Sequence, residues 1–283
     1  KLRESDYIDS LPSGLHGCQQ FFHPGQDGGK DRLSVHFIEV LVIIRRVKMN
    51  IVNFKHENMS DYGKTTTCNV YSIHVKVDDI SSKAKAMITM IQDTSWIEKL
   101  DIINQKSFEV RARKTIEKLV HDILLKVENT VSEEFGEFLI SVTALDSLEF
   151  QYSHKKVPLA ELFKERKTGN GSFDFHTETH GELIAFGEAK YSGSSSRYRD
   201  ALEQIASFIS DEKDISDMAD IRHFVSENSA LKVIQDNKKA FVAAFSINAI
   251  NPSKIIKNAL SSIYIDDLLV YDELYIIGIE VDA

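Results

Sequence analysis

The spacing of apolar positions changes period several times along the chain, and each change predicts an element. Within Thr65 to Val77, Tyr71, Ile73 and Val75 alternate with Val70, Ser72 and His74, which predicts a half-buried strand. From Ile80 to Ile91 the apolar residues fall at Ile80, Ala84, Met87, Ile88 and Ile91, the spacing of a helix. Met87 and Met90 read there as gap fillers, and Trp96 just beyond as a core anchor. The longest helical pattern runs from Ser107 to Phe135, with Phe108, Ala112, Ile116, Leu119, Val120, Ile123 and Val127 on one stripe. Phe138 to Leu145 reads as a strand. Ser153 to Lys167 reads as a polar link with a short helix at Leu159 to Lys164.

The period returns to two at 171–191. Phe173, Phe175 and Thr177 alternate with Asp174 and His176; a Thr179-His180-Gly181 turn signal and the apolar run Leu183 to Gly187 follow, which predicts a hairpin. Ser192-Gly-Ser-Ser-Ser196 is a turn whose last serine is placed to cap a helix from Arg197 to Ser210. That helix buries Ala201, Leu202, Ile205, Phe208 and Ile209. Asp211 to Asn237 is acidic and helix-prone. Lys239 to Asn248 reads as a buried strand, Pro252 to Ile263 as a helix with proline in its first turn, and Glu273 to Val281 as a last strand. Strands alternating with helices after an antiparallel hairpin predict an α/β fold, a mixed central sheet flanked by helices.

Composition sharpens this. A chain of 283 residues, 42% hydrophobic, fits one large domain or a domain with an appendage. Residues 1–48 divide off as a lead. They are aperiodic to about residue 34, with a strand candidate at Leu33 to Val47, and the first methionine is Met49, so they are expected to be poorly structured or non-native. Residues 49–106 form an N-terminal α/β subregion and 107–283 the core. Two cysteines, Cys18 and Cys68, form no disulfide framework, and no run approaches the roughly 20 apolar residues that span a bilayer. A cytoplasmic protein without membrane contact is expected. The net charge of −9 argues against a free-standing tight nucleic-acid binder, although Lys155, Lys156, Lys164, Arg166, Lys167, Arg197 and Arg199 offer a local basic patch or a solvated face.

The hairpin concentrates the chemistry. Glu188 and Lys190 are two apart on a strand and share a face. Asp174 joins them if the hairpin pairs it with Glu188. That needs an odd-numbered loop, for example His180-Gly181-Glu182, because a slip of one residue turns Asp174 to the other face. Mg²⁺ (or Mn²⁺) takes oxygen ligands beside several waters, and Asp174, Glu188 and the backbone carbonyl of Ala189 can offer three oxygens. An ion there polarises a phosphoryl group and activates water, while Lys190 holds that water or offsets transition-state charge. The plain alternative is a solvated Glu-x-Lys pair in a chain that is 27% charged. Two further residues are weaker candidates. Glu117 lies beside the stripe of the 107–135 helix, as a site residue or as an ordinary surface charge with Arg113 or His121. Gln204 borders the buried face of the 197–210 helix, touching metal-bound water or phosphate, or standing as a surface amide. The histidines lack paired zinc spacing, no Gly-rich phosphate loop occurs, and there is no Gly-x-Ser-x-Gly elbow.

Helix, strand, Asp-bearing strand, Glu-x-Lys strand and Gln-bearing helix is the order of the PD-(D/E)xK nuclease core. Ser172-Phe-Asp-Phe-His176, Phe186-Gly-Glu-Ala-Lys-Tyr191 and Asp200-Ala-Leu-Glu-Gln-Ile205 resemble the HamA effector family of the Hachiman antiphage defence system. The resemblance covers roughly residues 107 to 283, and its specific part is the hairpin. It places the family's acidic and lysine positions on Asp174, Glu188 and Lys190, with Glu117 and Gln204 as weaker transfers. Ser-Phe-Asp stands where the superfamily's name has Pro-Asp. The resemblance implies DNA cleavage held in check by a superfamily 2 helicase, HamB, which would also carry the DNA that an acidic chain holds poorly. A catalytically idle nuclease-fold interaction module and a restriction-type endonuclease stand as alternatives.

Overall fold

The computed structural model describes residues 49–123, 131–163 and 171–281, so the strand expected at Leu33 to Val47 and the lead around it lie outside the described residues. In chain order the elements are β1 (Asn50–Glu57), β2 (Asn69–Val77), α1 (Ile80–Gln92), α2 (Ile102–Lys118), α3 (Glu133–Tyr152), β3 (Lys155–Lys156) and α4 (Ala160–Phe163). Then come β4 (Phe175–Glu178), β5 (Ile184–Lys190), α5 (Tyr198–Ser210), α6 (Lys213–Ile221), α7 (Glu227–Asp236), β6 (Ala240–Ile247), α8 (Pro252–Ser261) and β7 (Glu273–Val281). The seven strands form one sheet in the order β1-β2-β7-β6-β5-β4-β3. The four central strands β2, β7, β6 and β5 are parallel, and β1, β4 and β3 attach antiparallel at the two sides. The fold is therefore mixed α/β with flanking helices, and the 49–106 segment contributes two strands to the same sheet.

Each sheet face carries its own core. Ala185, Ala189, Val242, Ala244, Ile277 and Ile279 pack with Phe135, Leu139 and Val142 of α3. Ile184, Phe186, Phe241, Ala243, Leu274 and Ile276 pack with Ala201, Leu202 and Ile205 of α5 and with Ala259 and Leu260 of α8. This is why β6 is buried at every position and reads as a continuous apolar run rather than an alternation.

Two element assignments are overturned. Phe138 to Leu145 is not a strand but the middle of α3, every residue of which from Phe138 to Leu145 is buried. A helix covered on all sides loses its polar face, so periodicity cannot separate it from a buried strand. Its start is written locally instead: Ser132 Oγ accepts the Phe135 N–H, and Glu133 and Glu134 occupy the first turn, where acidic side chains oppose the helix dipole. The 107–135 helix is also not one element. α2 begins five residues earlier, because Asp101 accepts the N–H groups of Ile103 and Asn104, and a new helix starts at Glu133. Trp96 is only half-buried, set edge-on against Phe108 and Phe224 in a smaller third cluster.

Ser196 does not cap α5. Its hydroxyl accepts the Asn248 N–H, and no side chain caps that helix start.

Candidate active site at the end of strand β5

The hairpin closes through the three-residue loop His180-Gly181-Glu182. Thr179 N–H donates to Leu183 O at 2.8 Å, and Glu182 takes the left-handed conformation at φ 55° that such loops need at their last position. The register pairs Phe175 with Gly187, His176 with Phe186, Thr177 with Ala185 and Glu178 with Ile184. One step further, that register sets Asp174 opposite Glu188. The phenyl ring of Phe175 lies flat on Gly187, where an added Cβ would come within 2.3 Å of it. Glycine is required for that approach.

At Asp174 the chain bends, and the side chain replaces the main chain in the ladder. Asp174 N–H donates to Gly187 O at 2.9 Å, and Asp174 Oδ2 accepts the Ala189 N–H at 2.8 Å. Past Gly187, then, β5 is flanked by β6 on one side and by a carboxylate on the other. Lys190 Nζ donates to Glu188 Oε1 at 2.7 Å. Ala189, between them, is fully buried.

Glu188 is 2% exposed, and its Oε2 has no hydrogen-bond partner among the described residues. Burial, and then the Asp174 charge, push its carboxyl well above the usual carboxylate range, against the pull of Lys190. Lys190 is itself raised: burial opposes its charge, but Glu188, Asp174 and Glu137 outweigh that. The cluster therefore holds three carboxylates against one ammonium in a poorly solvated place. It can take up a proton or a cation, and both relieve the same repulsion.

Glu137 is the residue that sequence reasoning missed. It sits in the second turn of α3, its Oε1 3.8 Å from Lys190 Nζ, and its carboxyl is raised by burial and by Asp174. Reading 138–145 as a strand left Glu137 in a gap between elements; the Ser132-Glu133-Glu134 helix start was the signal that would have placed it. α3 comes this close because residue 136 is glycine, where a Cβ would fall 2.1 Å from the Tyr191 ring. Glu137, Glu133, Glu134, Glu161 and Asp174, with Phe138 and Ser141, line an open cleft of about 410 Å³. Glu188 and Lys190 are not on its wall and meet it through Glu137 and Asp174.

Neither weaker candidate lines that cleft. Glu117 is exposed near the end of α2, in a groove with Gln92, Thr94, Arg113 and Ile116. Gln204 is half-buried on α5, and the contacts that join Asp174, Glu188, Lys190 and Glu137 include neither it nor Glu117. The basic patch is largely neutralised where it is described. Lys155 pairs with Glu178, Lys156 with Asp146 and Glu149, Arg197 with Asp200, and Arg199 with Glu203, while Lys164, Arg166 and Lys167 lie outside the described residues.

A divalent cation is testable against this arrangement. Among the described residues no three His, Cys, Asp or Glu side chains converge as a metal cluster, but the set expected here is two carboxylates and a backbone carbonyl. The orphaned Glu188 oxygen beside the Asp174 carboxylate fits a hard cation that takes oxygen ligands. No helix among the described residues is long and apolar enough to cross a membrane. No protein-family model matches the sequence, and a comparison with curated proteins finds no match.

Proposed function

We propose that the protein is a divalent-cation-dependent DNA nuclease with a PD-(D/E)xK-type core, acting in the cytoplasm as an antiphage defence effector under the control of a partner helicase of the HamB kind. The observation that carries this reading is the Glu188 carboxylate, 2% exposed, with one oxygen on Lys190 and the other without a hydrogen-bond partner among the described residues. An uncompensated buried carboxylate oxygen costs stability, and a fold that tolerates it next to residues that line a cleft points to a ligand.

Element order supports the same reading, with different residues from those first expected. With the short α4 after β3 and with α6 and α7 before β6, the chain runs α3, β3, Asp174 at the entry to β4, the Glu-x-Lys strand β5, α5 and β6, that is, helix, strand, Asp-led strand, Glu-x-Lys strand, helix and strand. In this reading Asp174, Glu188 and the Ala189 carbonyl hold Mg²⁺ or Mn²⁺. The ion, when bound, polarises the phosphodiester and activates the attacking water. Lys190 orients that water and offsets the charge that grows on the phosphoryl oxygens. Glu188 and Asp174, with Glu137, keep Lys190 protonated beside the cleft. The acidic chain leaves the grip on DNA to the helicase.

The idle interaction module gains from one feature: Asp174 Oδ2 already serves Ala189, and Glu188 Oε1 already serves Lys190. Plasmid degradation by the purified chain separates the two, with and without Mg²⁺ and with and without the helicase. Lys190→Ala is expected to lower cleavage by about 10²–10³-fold with the fold unchanged by circular dichroism. No cleavage in any combination overturns the enzyme and leaves the module; discrete fragments in place of progressive loss indicate a restriction-type endonuclease.

A further inference from the structure

Resting on the nuclease reading, we infer that Arg197 is the phosphate-positioning residue of this site, holding the substrate backbone at the mouth of the cleft while Lys190 serves the reacting centre. Arg197 stands seven residues past Lys190, directly before α5. Its Nη2 lies 3.7 Å from Oε1 of Glu133, one of the residues that line the cleft. Together with Lys190 it is one of the two cations that pull the Glu137 carboxyl downward, which sets its charge near the same carboxylates.

A structural role leaves much of this arginine unexplained. It occupies the cap position of α5 but supplies no side-chain cap bond. Its Nε is 2.9 Å from Asp200 Oδ2, yet that N–H is buried and makes no hydrogen bond of acceptable geometry among the described residues. The guanidinium is thus held between two carboxylates, 37% exposed, without the paired parallel bonds that a settled arginine–carboxylate contact makes. Such a fork matches two oxygens of a phosphate, which lysine cannot do as a point charge.

The loop that carries it is anchored independently of it. Ser192 N–H donates to Ser246 Oγ at 2.9 Å, that hydroxyl donates back to Ser192 O at 3.2 Å, and Asn248 N–H reaches Ser196 Oγ at 3.2 Å. Arg197 is therefore presented from a braced edge between β5 and β6. A cleft walled by Glu133, Glu134, Glu137, Glu161 and Asp174 would otherwise repel a polyanion.

The test uses the full chain with Mn²⁺ and a fluorescent DNA oligonucleotide, with and without the partner helicase, comparing wild type, Arg197→Ala and Arg197→Lys. Arg197→Ala is expected to raise KM about 5- to 20-fold with kcat within about twofold, and to lower the salt slope of DNA affinity by about one. Arg197→Lys is expected to recover the salt slope but only part of KM. Mn²⁺ affinity and Tm should stay at wild-type values. An unchanged KM, or a fall in kcat together with Tm at constant KM, overturns the inference while leaving the nuclease reading intact. Should wild type cut no DNA with or without the helicase, the nuclease reading fails separately. DNA affinity then decides: equal affinity of wild type and Arg197→Ala overturns the contact, and weaker binding by the variant sustains it.

Discussion

Two glutamates at opposite ends of one hairpin, Glu178 closing β4 and Glu188 near the end of β5, are each 2% exposed, and their chemistry is opposite. Glu178 is saturated with donors: Ser226 N–H at 3.0 Å, Ser229 Oγ at 2.5 Å and Lys155 Nζ at 3.0 Å. Burial pushes its carboxyl up, but those donors outweigh it and hold it at about 2. Glu188 has one donor, an orphaned oxygen and two neighbouring carboxylates, and its carboxyl is pushed well up. Equal solvent exposure therefore says nothing about role. What separates a structural carboxylate from a candidate catalytic one is whether the protein finishes its hydrogen bonds.

The sharpest way to break the comparison is Glu188→Gln. If the site is catalytic, cleavage falls on the order of 10³-fold, while the metal-free protein becomes more stable. The sign follows from linkage: a carboxyl raised in the fold contributes stability that is complete below its unfolded value and is lost as pH rises through its folded value. At neutral pH a neutral amide removes that cost and can still accept from Lys190. Thermal unfolding at pH 7 should show Tm up by about 2–4 °C for each kcal/mol gained. Mn²⁺ should raise the Tm of wild type and not of the variant. A lower Tm for Glu188→Gln would mean the carboxylate is structural after all.

Glu178→Ala should do the reverse. It leaves the Ser226 N–H and the Ser229 hydroxyl without their acceptor, and a loss of about 2–4 kcal/mol is expected in urea unfolding. An acid titration sharpens the contrast further. Because the Glu178 carboxyl is depressed from 4.5 to about 2, its contribution is present above the ordinary value and disappears as pH falls through that window. The difference in stability between wild type and Glu178→Gln should therefore shrink by roughly 3 kcal/mol between pH 5 and pH 2. A difference independent of pH would show that the donors do not favour the charged form.

The smallest effect is expected at Gly136. A methyl there must push the Tyr191 ring and α3 apart, at a cost of about 1–3 kcal/mol. Glu137 would be carried away from Lys190, so cleavage should drop by about 3- to 10-fold at temperatures where the variant is fully folded. Full activity in a folded Gly136→Ala would show that the Glu137–Lys190 contact is dispensable.

The sequence by itself determined the hairpin, because its signals are local. Alternation from Phe173 to Thr177, a turn with glycine and an apolar run predict the hairpin and leave Glu188 and Lys190 two apart on one strand, while the three-residue loop that sets Asp174 opposite Glu188 was one of the lengths the sequence left open. It also gave β7 and α8, where period, proline and length agree. Tertiary structure alone decided the rest of the site. Glu137 enters through α3, a helix buried all round whose apolar run carries no period to read. Glu117, expected beside the site, stands in another groove, because the helices that pack over β5 are α3 and α5 rather than α2. The imbalance of charge around Glu188 exists only once separate elements meet in a place water scarcely reaches. Local spacing fixes which side chains a strand presents, whereas desolvation and charge coupling depend on what other parts of the chain bring to them.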